Sequence, residues 1–258
     1  MNYKTLLISI DGHVATITIN RPEVRNAINK QVQEDIRDAL ARLRDDDTVG
    51  AIVFTGVGDR AFAAGADITQ LKNYTLHTGL ASEMQRLYDV IESCEKPTIA
   101  AVNGFALGGG CELAMACDIR IGSSNAKFGL PETMLSVLPG AGGTQRMARL
   151  VGVGRAIELI LTGRMLDAEG AREAGLITDV VPSEKLLDTA YDVARTILRR
   201  GPLAVRLAKL VIRTGFDADQ RTGLVVEQLA QALLYTTDDK REGAEAFLAR
   251  RPAEFSGR

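Results

Sequence analysis

Two carboxylates, Glu112 and Glu132, sit in settings where acid–base chemistry would be at home. Glu112 interrupts Cys111–Cys117 (CELAMAC), a run small and apolar enough for a buried helix. A carboxylate placed there needs a partner or a raised pKa, and such groups often move protons. The plainer account is a surface residue, or a partner for the positive end of the helix. Glu132 closes Phe128-Gly129-Leu130-Pro131-Glu132, and Pro-Glu taken alone reads as the exposed start of a helix. Twenty positions separate the two carboxylates, so no single helix sets them on one face. Only tertiary structure could join them.

The elements that must hold Glu112 begin with Ile99 to Val102, an apolar run that suits a buried strand and is ended by Asn103-Gly104. Phe105-Ala106-Leu107 then leads into Gly108-Gly109-Gly110 and the helix beyond. Glycines at such a junction let another molecule approach the backbone, and the helix start offers unpaired N–H groups. That is a place to hold developing negative charge. An earlier segment, Ala61 to Ile68, reads as a loop of small residues after the strand Ala51 to Thr55, and echoes this arrangement. For either loop alone, tight packing of turns is the better account.

A third glycine turn, Pro139-Gly140-Ala141-Gly142-Gly143-Thr144, feeds a helix from about Gln145. Neither it nor Gly108–Gly110 ends in the Gly-Lys-Ser/Thr of a Walker A loop. For the dinucleotide fingerprint, position 113 would have to be Gly or Ala, and it is Leu.

Around these turns the chain predicts a hairpin (Thr5 to Ile10, Val14 to Ile19) about Asp11-Gly12, and helices over Gln31 to Leu43, Glu83 to Ile91 and Arg155 to Leu161. Short strands are expected at Asp118 to Ile121 and Ile177 to Val181, with Asp167 capping a short helix between them. Strands and helices alternate to about Val181, which argues for the α/β class. Arg199-Arg200-Gly201-Pro202 separates this part from an all-helical tail, where Asp217-x-x-Gln220 and Asp239-x-x-Glu242 read as capping boxes.

With 258 residues, 46% hydrophobic and 25% charged, the chain can bury a sizeable core. A net charge of −2 gives no field for nucleic acid or membrane surfaces, so neither is expected as a partner. Three cysteines without a C-x-x-C pair read as buried free thiols of a reducing compartment. His13 and His77 fall in polar settings and are too few for a histidine-based metal site. Leu6 to Ile10 is too short for a signal core and no apolar run spans a bilayer, so a cytoplasmic protein, or a mature form without its presequence, is expected.

The runs AAVNGFALGGGCELAMACDIRI, FGLPE and LPGAGGTQR, in this order, resemble the enoyl-CoA hydratase/isomerase (crotonase) family, and its hydratases most closely. The likeness extends from Thr16-Ile17-Thr18-Ile19-Asn20-Arg21-Pro22 to Ala246-Phe247-Leu248. It implies a crotonase-like spiral of ββα repeats over residues 1–198. Residues 199–258 then form a helical region for trimerisation and a lid, in a homotrimer or a homohexamer built as a dimer of trimers. The implied reaction is reversible syn addition of water to an enoyl-CoA thioester, with no metal and no cofactor apart from the coenzyme A carried by the acyl-CoA substrate. By match to the family motif, Ala66 and Gly109 supply a backbone oxyanion hole, Glu112 acts as base and Glu132 as acid.

Ala64, Ala66, Asp67, Ile68, Gly109 and Gly140 are the implied substrate contacts, with the small loop against the adenine ring. Arg25 and Arg250 are candidates for the coenzyme phosphates, Arg250 from a neighbouring subunit; each also reads as an ordinary surface charge. Some relatives carry Lys two residues after the loop's Asp, where this chain has Thr69, so Lys72 or an arginine would have to substitute. A stretch from Leu71 to Leu87 is expected to line the acyl site. A double-bond isomerase would need the same hole and one carboxylate. A non-catalytic binding relative would have no use for two.

Overall fold

The computed structural model describes residues 2–67, 69 and 72–258. The hairpin forms as its turn predicts: Leu6–Asp11 (β1) and Val14–Ile19 (β2) pair antiparallel about Gly12, whose φ of 57° suits glycine. From there the strands run in pairs, one member entering each of two sheets. Ala51–Gly56 (β3) is followed by Ala61–Ala63 (β4), Thr98–Val102 (β5) by Phe105–Leu107 (β6), and Ile119–Ser123 (β7) by Lys127–Gly129 (β8). Leu166–Asp167 (β9) and Asp179–Val181 (β10) complete the set. The larger sheet has the order β1-β2-β3-β5-β7-β10 and is parallel from β2 onward; the smaller has the order β4-β6-β8-β9. Each repeat therefore lays a strand beside its predecessor in both sheets, and helices close the turns of a spiral.

The apolar runs of the larger sheet are continuous because both of its faces are covered. Ile52, Phe54, Ala100 and Val102 face the main core. Their neighbours Val53, Ile99 and Ala101 pack instead with Leu186, Ala190 and Ala194 of the helix Leu186–Leu198 (α8, counting helices in chain order). The first helix, Lys30–Asp45 (α1), puts Val32, Ile36, Leu40 and Leu43 into the core at helical spacing. Asn29 caps its start, accepting from the Val32 N–H at 2.9 Å. Its end is closed by Lys96, only 1% exposed, whose Nζ donates to the carbonyls of Leu43 and Asp46.

Leu76–Ala81 (α2) and Glu83–Glu92 (α3) precede β5, and Gly109–Ala116 (α4) follows β6. Gly143–Val151 (α5), Val153–Thr162 (α6) and Ala168–Glu173 (α7) fill the third turn. Asp167 caps α7 as the sequence predicts. The tail is Pro202–Asp217 (α9), Gln220–Leu234 (α10) and Asp238–Leu248 (α11); α9 and α10 bury no residue within this chain. Among the described residues no helix is long and apolar enough to cross a membrane.

Three expectations are corrected. Ala61–Ala63 is a short strand rather than part of a loop. Helix α4 begins at Gly109, so the glycines are its first turn and not only its approach. The tail helices are capped by Asp219 and Thr237, which accept from Thr222 and Lys240, because α9 runs through Asp217 and α11 already includes Asp239. Asp239 instead accepts from the N–H groups of Ser256 and Gly257 and folds the terminus back.

Gly110 lets α4 lie against β4: a Cβ there would come within 1.9 Å of the Ala63 carbonyl oxygen. Gly110→Ala should therefore cost about 3 kcal/mol or more, the upper range for overpacking. Gly154→Ala, where an added Cβ meets nothing within 4 Å, should be neutral or slightly stabilising. Urea unfolding of both variants checks this, and equal midpoints would exclude close packing at Gly110.

Candidate active site

The three parallel strands of the smaller sheet, β4, β6 and β8, end at the same edge. Each continues into a piece of the site: Ala64–Asp67 after β4, Gly108–Gly110 after β6, and Leu130–Glu132 after β8. Residues far apart in sequence thus meet because three consecutive repeats stop together.

The first piece is fixed by a parallel bridge between Ile28 and Ala66. Ile28 donates to Gly65 O at 2.8 Å and accepts from the Asp67 N–H at 3.1 Å. In a parallel ladder the residue between those two partners points its own N–H the other way, so the Ala66 N–H faces α4. Gly109 opens α4, and its N–H has no carbonyl to bond within its own helix. The two groups are neighbours: a Cβ built on Gly109 would lie 3.4 Å from Ala66 N. Tyr88, fully buried on α3, donates to Gly109 O at 2.7 Å and steadies that turn. Gly108 has φ 50° and ψ −124°, a conformation open to glycine, and a Cβ there would meet Glu132 Oε1 at 2.7 Å.

Glu112 lies one turn into α4 and is 2% exposed. Its Oε1 accepts from Ala141 N–H at 2.8 Å and Gly143 N–H at 2.7 Å, so the third glycine turn serves the first carboxylate. Burial pushes the Glu112 carboxyl up to about 7 and the charge of Glu132 adds to this, while the Gly143 and Ala141 donors and Arg146 pull the other way. Glu132 begins the one-turn helix Glu132–Leu135, half-buried, and burial raises its pKa too. Its Oε2 is buried, and among the described residues no donor reaches it. Burial thus biases both carboxyls toward the neutral form, and the charge of Glu132 adds to this at Glu112.

The other expected residues fall as follows. Arg25 is exposed, and its carbonyl accepts from Ala64 N–H at 3.1 Å, which puts it beside the small loop. The N–H groups of Ala64 and Asp67 are thereby both engaged. Asp67 faces Arg21 at 3.8 Å and accepts from Thr69, which holds its carboxyl below the usual range. Gly140 is exposed in the turn whose later N–H groups hold Glu112. Ile68, and Leu71 of the expected acyl lining, lie outside the described residues. Lys72 is exposed, as is Arg250, which follows α11 and donates its N–H to Phe247 O. His13 and His77 are exposed and the three cysteines are buried and free.

Sequence reasoning missed Tyr88 and Arg146. Tyr88 sits on an ordinary amphipathic helix and carries no motif. Arg146 closes the quoted run LPGAGGTQR, but its partners Asp89 and Glu92 are more than fifty residues away.

A carboxyl whose folded pKa exceeds its unfolded one keeps its proton longer in the folded state. Folding stability therefore falls as pH rises from about 4.5 to about 7. Gln at position 112 could accept the same two N–H bonds without ionising. Glu112→Gln should raise the unfolding free energy at pH 8 by up to about 3 kcal/mol, and change it little at pH 4. A stability difference independent of pH would contradict the raised pKa.

Residues 9–258 match the enoyl-CoA hydratase/isomerase family. A crotonyl-CoA hydratase of Syntrophomonas wolfei is 44% identical over 257 residues, which is 99% of each chain. A short-chain-enoyl-CoA hydratase of Clostridium acetobutylicum is 41% identical over 98% of each. The crystal structure of an enoyl-CoA hydratase from Bacillus anthracis superposes with a TM-score of 0.95 at 39% identity, covering 99% of this chain and 100% of that one. The spiral, the paired sheets and the full-length similarity agree: this chain belongs to the enoyl-CoA hydratase/isomerase family.

Proposed function

We propose that the protein is an enoyl-CoA hydratase, adding water reversibly across the α,β double bond of an enoyl-CoA thioester. The full-length similarity to named hydratases supports the activity. The observation that carries the mechanism is the pair of carboxyls, one buried and pinned by two N–H donors and one half-buried, beside the facing N–H groups of Ala66 and Gly109.

In this reading the Ala66 and Gly109 N–H groups hold the thioester oxygen as it becomes enolate-like, each donor worth about 3–4 kcal/mol in a water-poor site. Glu112, whose Oε1 is tied down, uses Oε2 to take a proton from water as its oxygen bonds to Cβ. Glu132 delivers a proton to Cα from the same face, giving syn addition. Two backbone donors offset part of the burial that raises the Glu112 carboxyl, and burial raises Glu132 as well, so both carboxyls can hold or release a proton near neutral pH. Coenzyme A enters as part of the substrate and no further cofactor takes part.

The wider assignments belong to the same proposal. Residues 1–198 form the catalytic spiral and 199–258 an assembly and lid region. Exposed Phe216, Leu229, Phe247 and Leu248 on the tail helices support assembly as a trimer or dimer of trimers. Arg25, and Arg250 from a neighbouring chain, would contact the coenzyme phosphates, with Gly140 near the substrate. A cytoplasmic role in the β-oxidation of fatty acids suits the free buried thiols and the substrate class.

Glu112→Gln and Glu132→Gln should each lower crotonyl-CoA hydration by about 10²–10⁴ without unfolding the protein. Near-parental hydration by either folded variant would overturn the two-carboxylate mechanism. Proline is tolerated at a helix's first position but has no N–H, so Gly109→Pro should cost about a hundredfold or more in rate. A folded Gly109→Pro variant at parental rate would remove Gly109 from the oxyanion hole.

A further inference from the structure

The turn that pins Glu112 is itself held from behind. Arg146, 8% exposed, folds back so that Nη1 donates to Ala141 O at 2.9 Å. Its Nε and Nη2 donate to Glu92 Oε2 at 2.9 and 2.6 Å, and Nη2 also reaches Asp89 Oδ1 at 2.8 Å. A planar guanidinium offers this fork of fixed donors, which an ammonium cannot. The far oxygen of Glu92 is taken by Arg213 of α9, which also donates to Asp118 Oδ1 at 2.7 Å. The same peptide unit series thus has its N–H groups on Glu112 and a carbonyl on Arg146. Any drift of Ala141 moves the carboxylate oxygen it holds.

The geometry points to Arg146 as a positioning residue for Glu112: by clamping the Ala141 carbonyl to Glu92 and Asp89, it fixes the turn that orients the base, and Arg213 extends the clamp to the tail. The inference rests on Glu112 being the base. The groups facing Glu112 are Glu132, Arg146, Tyr88 of α3 and, in its own helix, Cys111. Among these Arg146 is the cation. Removing it, and loosening the two donors it steadies, disfavours the ionised form, so the acid limb of the rate profile should move to higher pH.

The test compares crotonyl-CoA hydration by the parent, Arg146→Gln, Arg146→Lys, Glu112→Gln, and the double variant Glu112→Gln/Arg146→Gln, with circular dichroism and native mass as controls. Arg146→Gln should lower kcat by about 10–100-fold, as for a small misplacement of a reacting group, with KM nearly unchanged and the acid limb of kcat/KM at higher pH. Arg146→Lys should recover part of the rate. If Arg146 acts through Glu112, the double variant should be no slower than Glu112→Gln alone. A parental rate and pH limb in Arg146→Gln, or losses that multiply in the double variant, would overturn the proposal. Near-parental hydration by Glu112→Gln would instead remove Glu112 as base, a separate failure. Should Arg146→Gln not fold, Glu92→Gln replaces it in the same cycle. A smaller loss of kcat that disappears in the Glu112→Gln background is expected, and parental behaviour overturns the clamp.

Discussion

A carboxylate inside an apolar helix is costly unless donors meet it, and much of this structure answers that cost at Glu112. Two N–H groups of the Ala141–Gly143 turn meet one oxygen, and the turn can do so because its backbone is wound tightly enough to aim both inward. Helix α4 must in turn lie close to β4, which its glycines permit. The arrangement relieves the buried group without fully compensating it, which leaves a carboxyl poised near neutrality.

The same helix serves both halves of the proposed chemistry. Its first N–H is an orphan donor, and its first turn carries the carboxylate, so one rigid element sets the spacing between oxyanion and base. Helix α3 braces both. Tyr88 holds the Gly109 carbonyl, while Asp89 and Glu92 hold Arg146. Rigidity at the site thus comes from an element that contributes no reacting group.

What was legible in the sequence follows from where the signal is local. The hairpin, β3 and α1 declare themselves by turn residues and apolar period. The glycine turn and Glu112 stand out because a charge and a backbone motif break an apolar run. Strands β4 and β6 were hidden, since three residues such as Ala-Phe-Ala carry no period and owe their form to neighbouring strands. The tail caps were displaced because the spacing Asp217 to Gln220 fits a capping box, while the preceding helix claims Asp217 for itself. The partnership of Arg146 with α3 depends on tertiary contact and leaves no local trace.

The common edge at which β4, β6 and β8 end bears on how the protein comes to be. Ala66 and Gly143 bound a stretch of 78 residues that holds the two facing N–H donors, both carboxyls and the turn that pins Glu112. No single repeat contains a donor pair or a carboxyl pair, so a nascent or partly folded chain holds only fragments of the centre. Joining them requires closing long loops, whose entropy is lost before the contacts between repeats reward it. The proposed centre is in this sense a property of stacking, complete only where the third turn of the spiral meets the first two.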